Sequence, residues 1–241
     1  MAGVIRAPFL EIGPKNYLYG EEVLQLACAV DAAAEKNGID IFFTCPYIDL
    51  RRVCENTKHI HVLAPHMDSL RPGRGIAEIL PEAVADAGAE GVMLNHAEKR
   101  LNYTELENIM QRAKELGLLT VVCADSMEEI RAVAMLGPDV IVAEPEELIG
   151  KCTGGDISYV GEAVRTVKEI DPGIQVLVGA GIRNGKDVYD VILAGSDASG
   201  SSSAVVLAED RAAMVEEMAE AAVRAWNDRK NVRVQAAAET A

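Results

Sequence analysis

Three short stretches, far apart in the chain, carry residue types that do proton chemistry: Lys15, the run Asn95-His96-Ala97-Glu98, and Glu144-Pro145. An ammonium, an imidazole and a carboxylate brought to one place suit proton transfer next to a carbonyl. The carboxylate removes a carbon-bound proton, the imidazole polarises and shuttles between oxygens, and the ammonium stabilises the developing negative charge. Each group is ordinary alone, because glutamates populate surface loops, single histidines are more often structural, and lysines are solvated almost everywhere. Their weight comes from position: each lies at or just beyond the end of a short apolar run.

Eight such runs recur: PFLEI at 8–12, IDIFFTC at 39–45, HIHVLA at 59–64, EGVMLN at 90–95, LLTVVCA at 118–124, DVIVAE at 139–144, IQVLVGA at 174–180 and a weaker polar run, SDASGSSS, at 196–203. Helical periodicity fills the gaps, as in Val23, Leu26, Ala27 and Val30, or Val215, Met218, Ala219 and Ala222. Thr104 with Glu107 and Ser126 with Glu129 have capping-box spacing, and Asn37-Gly38 and Leu116-Gly117 read as helix stops. Strands alternating with helices predict a parallel sheet, since parallel neighbours need a crossover and bury both faces. Eight units in 241 residues predict a single α/β domain over 1–241, a closed (β/α)₈ barrel, with a frayed tail from about Val234. A doubly wound open sheet is the alternative, but GPKNYLYG after the first strand lacks the GxGxxG spacing of its usual glycine-rich turn. In a barrel the loops after the strands' C-terminal ends carry the chemistry, which is where the three groups fall.

Composition narrows the partners. With 23 basic against 38 acidic residues the net charge is −15, with no local basic run, so neither nucleic acid nor an anionic membrane is an expected partner. No apolar stretch has the length of a membrane span, and the N-terminus lacks a signal-peptide pattern, so a cytoplasmic location is expected. The five cysteines, Cys28, Cys45, Cys54, Cys123 and Cys152, form no CxxC pair and fit thiols kept reduced. His59, His61 and His66 have no carboxylate constellation beside them that completes a metal site, so no metal is expected.

The segments LNHAEKR at 94–100 and AEPEELIGK at 143–151 resemble triosephosphate isomerases, particularly the short archaeal-type form. PEAVADAGAEGVMLNH leading into the histidine, LLTVVCA after it and LVGAGI at 177–182 extend the resemblance, in family order, over nearly the whole chain. It implies a TIM barrel that interconverts dihydroxyacetone phosphate and glyceraldehyde 3-phosphate through an enediolate, a step of glycolysis and gluconeogenesis, without metal or organic cofactor. By position it makes Glu144 the base, His96 the neutral electrophile, Lys15 the anchor for substrate charge and Glu98 a supporting carboxylate paired with the lysine. It places the phosphate near Gly150, Gly179, Gly181, Arg183 and the Ser203-Ala204 turn, where backbone N–H groups can approach oxygen. The mobile lid would run from Pro145 to about Gly155. The family's mode of pairing implies a homo-oligomer, dimer or tetramer, through the loop from Ser69 to about Glu78.

The chain departs from the family pattern at the substrate loops. Gly13-Pro14 precedes Lys15 where Asn and an aromatic are usual, Ala97 replaces Ser, Gly150-Lys151-Cys152 replaces Gly-Thr-Gly, and Arg183 stands where a small hydroxyl residue is usual. Proline before Lys15 fixes φ and removes an N–H, so a different backbone course is expected there. Together with the polar run Ala198 to Ser202, these changes suggest a larger or more polar substrate. Two alternatives stay open: a paralogue acting on another short ketose phosphate such as a tetrulose phosphate, and a non-catalytic sugar-phosphate-binding barrel. None of Ser199, Ser201, Ser202 or Ser203 has the His–Asp company of a nucleophile.

Overall fold

The computed structural model describes residues 5–144 and 158–239, with side chains described for 5–144 and 159–231. Eight parallel strands close into a barrel in chain order: β1 (Phe9–Ile12), β2 (Asp40–Thr44), β3 (His61–Ala64), β4 (Gly91–Leu94), β5 (Leu119–Ala124), β6 (Val140–Ala143), β7 (Gln175–Val178) and β8 (Ala198–Ser201). All eight runs read from the sequence are strands, and each crossover is helical. The helices are α1 (Glu21–Asn37), α2 (Leu50–Asn56), α3 (Pro81–Asp86), α4 (Tyr103–Leu116), α5 (Met127–Ala134), α6 (Ser158–Ile170), α7 (Gly185–Leu193), the single turn α8 (Ser203–Val206) and α9 (Arg211–Glu239). Val234, where fraying is expected from the sequence, therefore lies within α9 and not after its end.

Strand alternation sorts the core into two compartments. Residues such as Phe9, Phe42, Leu63, Met93, Val121, Val142 and Leu177 fill the barrel, while Leu10, Ile41, Val62, Val122, Ile141 and Val176 face the helices. Phe9 and Phe42 meet at 5.0 Å between ring centroids. Gly91 is required where it stands, because a Cβ there would come within 2.8 Å of both Cβ and O of Leu119. The two periodic helices bury the faces read from the sequence, Val23, Leu26, Ala27 and Val30 on α1 and Val215, Met218, Ala219 and Ala222 on α9.

The helix ends follow local chemistry with one correction. Gly38 and Gly117 close α1 and α4 in the left-handed conformation, as the sequence indicates. The α4 capping box is made by Asn102 and Glu105, not by Thr104 and Glu107, because Asn102 already holds the extended conformation and accepts from the Glu105 N–H. At α5, Ser126 caps Glu129 as expected, but the Glu129 carboxylate reaches the Asp125 N–H at 2.8 Å and turns its other oxygen to the barrel rim.

Candidate active site

Lys15 leaves the end of β1 through a tight turn in which the Tyr17 N–H reaches the Pro14 carbonyl, and Lys15 itself has φ of 48°. A non-glycine residue in the left-handed region is strained by sterics, and such strain is tolerated where the surroundings over-determine it. The departure at Pro14 thus leaves Lys15 presented at the mouth, where its Nζ donates to Glu98 Oε1 at 2.9 Å. Both partners are part-exposed, so the pair contributes little to stability and serves to aim the lysine.

The loop after β4 is built from Asn95 outward. Asn95 is buried with φ of 57°, a conformation that Asn accepts more readily than most residues. Its Nδ2 donates to the Cys123 carbonyl at 3.0 Å and to Glu129 Oε1 at 2.8 Å, and its Oδ1 accepts from the Leu101 N–H at 3.0 Å. Arg100 Nη1 donates to both carboxylate oxygens of Glu129 at 3.1 Å, and its Nη2 pairs with Asp125. This network fixes His96. The Glu98 N–H donates to His96 Nδ1 at 3.1 Å, so the neutral ring carries its proton on Nε2 and can donate from there. Burial first, and the Lys15 charge second, hold the His96 pKa below its ordinary value, which keeps the ring uncharged.

Glu144 follows β6, and its N–H continues the sheet to the Ala124 carbonyl at 2.9 Å. Glu144 lines a crevice together with Ala97, Arg100, Cys123, Ala124 and Asp125. Burial raises its pKa, with Lys15 opposing and Glu98 reinforcing the rise, so Glu144 is a stronger base than a solvated carboxylate. Gly179 at the end of β7 makes room for it, since a Cβ there would lie 2.7 Å from Glu144 Oε1. The structure thus brings Lys15, His96, Glu98, Glu144 and Gly179 to the same rim.

The remaining residues named from the sequence take varied places. Gly181 has φ of 75° in the turn after β7, and Ser203-Ala204 opens α8 just beyond β8. Arg183 directs its N–H, Nε and Nη2 to the Asp187 carboxylate at 3.0, 2.9 and 3.1 Å, so much of its donor capacity is held by the first turn of α7. Gly150, Lys151, Cys152 and the segment from Pro145 to Gly155 lie outside the described residues. His61 pairs with Glu90 at 2.9 Å, and among the described residues no group of three or more His, Cys, Asp or Glu is arranged to hold a metal.

The polarity of β8 has an internal cause. Ser199 Oγ donates to the Val178 carbonyl at 3.0 Å, Ser201 Oγ to the Ile182 carbonyl at 3.2 Å and Ser202 Oγ to the Gly13 carbonyl at 2.6 Å. Those hydroxyls stitch β8 to the β7 loop and to the Lys15 loop, which removes this run as an argument for a more polar substrate.

Sequence reasoning missed Glu11. It stands on the inward face of β1, one alternation above Phe9 and in register with Gly200, with only 9% of its surface exposed. Thr44 Oγ1 donates to its Oε1 at 2.6 Å. Burial pushes its pKa up to about 7, with Thr44 lowering it, Glu144 raising it and Lys15 lowering it in decreasing order. The signal was present in PFLEI, where a Glu shares strand parity with an aromatic core residue.

A closed parallel barrel whose C-terminal rim holds a neutral imidazole, a lysine and a desolvated glutamate defines an enzyme of carbon-bound proton transfer. The family model for triosephosphate isomerase matches residues 9–218. Proteins named triosephosphate isomerase are similar over most of the chain: that of Methanocaldococcus jannaschii is 38% identical over 200 residues, covering 81% of this chain and 90% of its own. That of Methanobacterium bryantii is 36% identical, covering 87% and 95%, and that of Sulfurisphaera tokodaii 34%, covering 94% and 100%. The chain belongs to the triosephosphate isomerase family.

Proposed function

We propose that this protein interconverts dihydroxyacetone phosphate and glyceraldehyde 3-phosphate through an enediolate. Glu144 takes the proton from the carbon next to the carbonyl and returns it to the neighbouring carbon. His96 donates from Nε2 to the carbonyl oxygen as charge develops and passes the proton between the two oxygens. Lys15, aimed by Glu98, stabilises the negative oxygen and attracts the anionic substrate. The observation that carries this reading is the Glu98 N–H on His96 Nδ1. It leaves a neutral donor at Nε2 on the same rim as Lys15, whose positive charge can offset that of the enediolate.

The phosphate is best accommodated by backbone N–H groups around Gly179, Gly181, Ser203 and Ala204. Such a cradle lets an acidic protein bind an anion, since only the cleft need be positive. Copies of the chain pair through the loop from Ser69 to Glu78. Ile76 there is fully exposed and Ile48 of the preceding loop is 95% exposed, which suits burial against a second copy. Among the described residues no helix is long and apolar enough to cross a membrane.

The test is a coupled assay of both directions with Glu144→Gln. Removing the base is expected to lower kcat by about 10²- to 10⁴-fold with the fold intact, and unchanged turnover would show that another group moves the proton.

A further inference from the structure

Glu11 is an ionisable group at the rim that the chemistry above does not use. A carboxyl inside a barrel is costly, and an apolar side chain would pack there without penalty, so its presence calls for a cause. The structure makes specific room for it. A Cβ at Gly13 would lie 2.9 Å from Glu11 Oε1 and 3.5 Å from Thr44 Cβ, so the carboxyl takes up space that a side chain at position 13 would occupy. On the other side a Cβ at Gly200 would lie 3.2 Å from Oε2 and 3.0 Å from the Glu11 carbonyl. Thr44 holds Oε1, whereas Oε2 accepts no hydrogen bond among the described residues. The titratable groups around it are Lys15 from the β1 loop, Glu144 from β6 and Cys123 from β5; β2 offers Thr44 and β8 only the backbone at Gly200.

We propose that Glu11 is a positioning residue of the isomerase site, a second carboxyl whose charge state sets the field in which Lys15 and Glu144 act on an anionic substrate. The inference rests on the assignment of Lys15 and Glu144 above. With its proton on, Glu11 adds no charge, and Lys15 faces Glu144 and the substrate alone. When Glu11 ionises, it offsets part of the Lys15 charge and repels both phosphate and enediolate. Burial brings this ionisation up to about 7, where a pH–rate profile can read it. Binding of an anionic substrate favours the protonated form in return, because coupling between two bound species is reciprocal.

The experiment is the pH dependence of kcat/KM and of kcat for dihydroxyacetone phosphate with wild type, Glu11→Gln and Thr44→Val. In the wild type, kcat/KM is expected to fall on the order of tenfold as pH rises through Glu11 ionisation, with the corresponding fall in kcat displaced to higher pH. Glu11→Gln mimics the neutral acid and is expected to abolish that fall. Thr44→Val removes a donor that favours the carboxylate, so the fall moves to higher pH. Ionisation of the substrate phosphate is common to all three proteins and cancels in the comparison.

A Glu11→Gln profile of wild-type shape would overturn the proposal. Should that variant not fold, a Thr44→Val profile that does not move would overturn it equally. Full turnover by Glu144→Gln would instead overturn the assignment of the base. An inactive Glu144→Gln alongside an unmoved Glu11→Gln profile removes this inference and leaves the base in place.

Discussion

A buried carboxyl that stays protonated to about neutrality in the fold must show in stability as well as in rate. Glu11 is raised from 4.5 to about 7 by burial. Below the lower value it is protonated in both folded and unfolded chains and adds nothing to the pH dependence. Between the two values the unfolded chain releases the proton and the fold retains it, so stability falls as pH rises. Above about 7 both states are ionised and the full cost is present. At about 1.4 kcal/mol per tenfold, that cost is about 3 kcal/mol, of which roughly 2.5 kcal/mol accrues between about pH 5 and pH 8. Glu11→Gln cannot ionise, so its stability relative to wild type is expected to improve by that amount across the interval. The comparison between two pH values is the useful quantity, because any fixed cost of seating the amide beside Thr44 drops out. Urea unfolding of both proteins at the two pH values measures it. Near pH 8 the gain corresponds to roughly 5–10 °C in Tm over its value near pH 5. A wild type and variant whose stability difference is the same at both ends would refute the reasoning, since Glu11 would then ionise alike in folded and unfolded chains.

The rim network supplies further expectations. Lys15→Met removes the second cause of the low His96 pKa, so the His96 ring resonances, followed by NMR, are expected to titrate at higher pH, and activity is expected to fall sharply with the lost cation. Gly179→Ala sets a Cβ 2.7 Å from Glu144 Oε1, which displaces the base; kcat is expected to drop about tenfold or more while KM changes less. Asn95→Ala leaves the Leu101 N–H and the Cys123 carbonyl without their partner and is expected to cost about 1–3 kcal/mol in denaturant unfolding. Glu98→Gln removes an exposed ion pair, so unfolding should change by less than about 1 kcal/mol, whereas KM should rise as Lys15 loses its aim.

The order of strands and helices was legible because each element is short and its patterning is local. An apolar run of four to six residues between helical periods has few uses other than a buried parallel strand, and left-handed glycines at 38 and 117 mark where helices stop. The three chemical groups were legible for a related reason, since residues that follow the parallel strands of a closed barrel, here β1, β4 and β6, share a rim whatever their separation in sequence. Capping at α4 was misread because Thr104 and Asn102 offer the same side-chain chemistry, and only the backbone conformation at 102 decides between them. The serines of β8 were ambiguous because a hydroxyl serves a carbonyl across a strand as readily as it serves a ligand.

Sequence by itself therefore determined the barrel, its closure in chain order and which residue types meet at its mouth, all consequences of periodicity and connectivity. Tertiary structure alone decided the protonation of those groups. Whether His96 is neutral depends on burial and on nearby Lys15, with one backbone N–H setting its tautomer, and whether Glu11 holds a proton depends on burial, on Thr44 and on the absence of side chains at Gly13 and Gly200. Electrostatic energies are set by distance and by exclusion of water, and neither quantity exists until the chain has closed around the group.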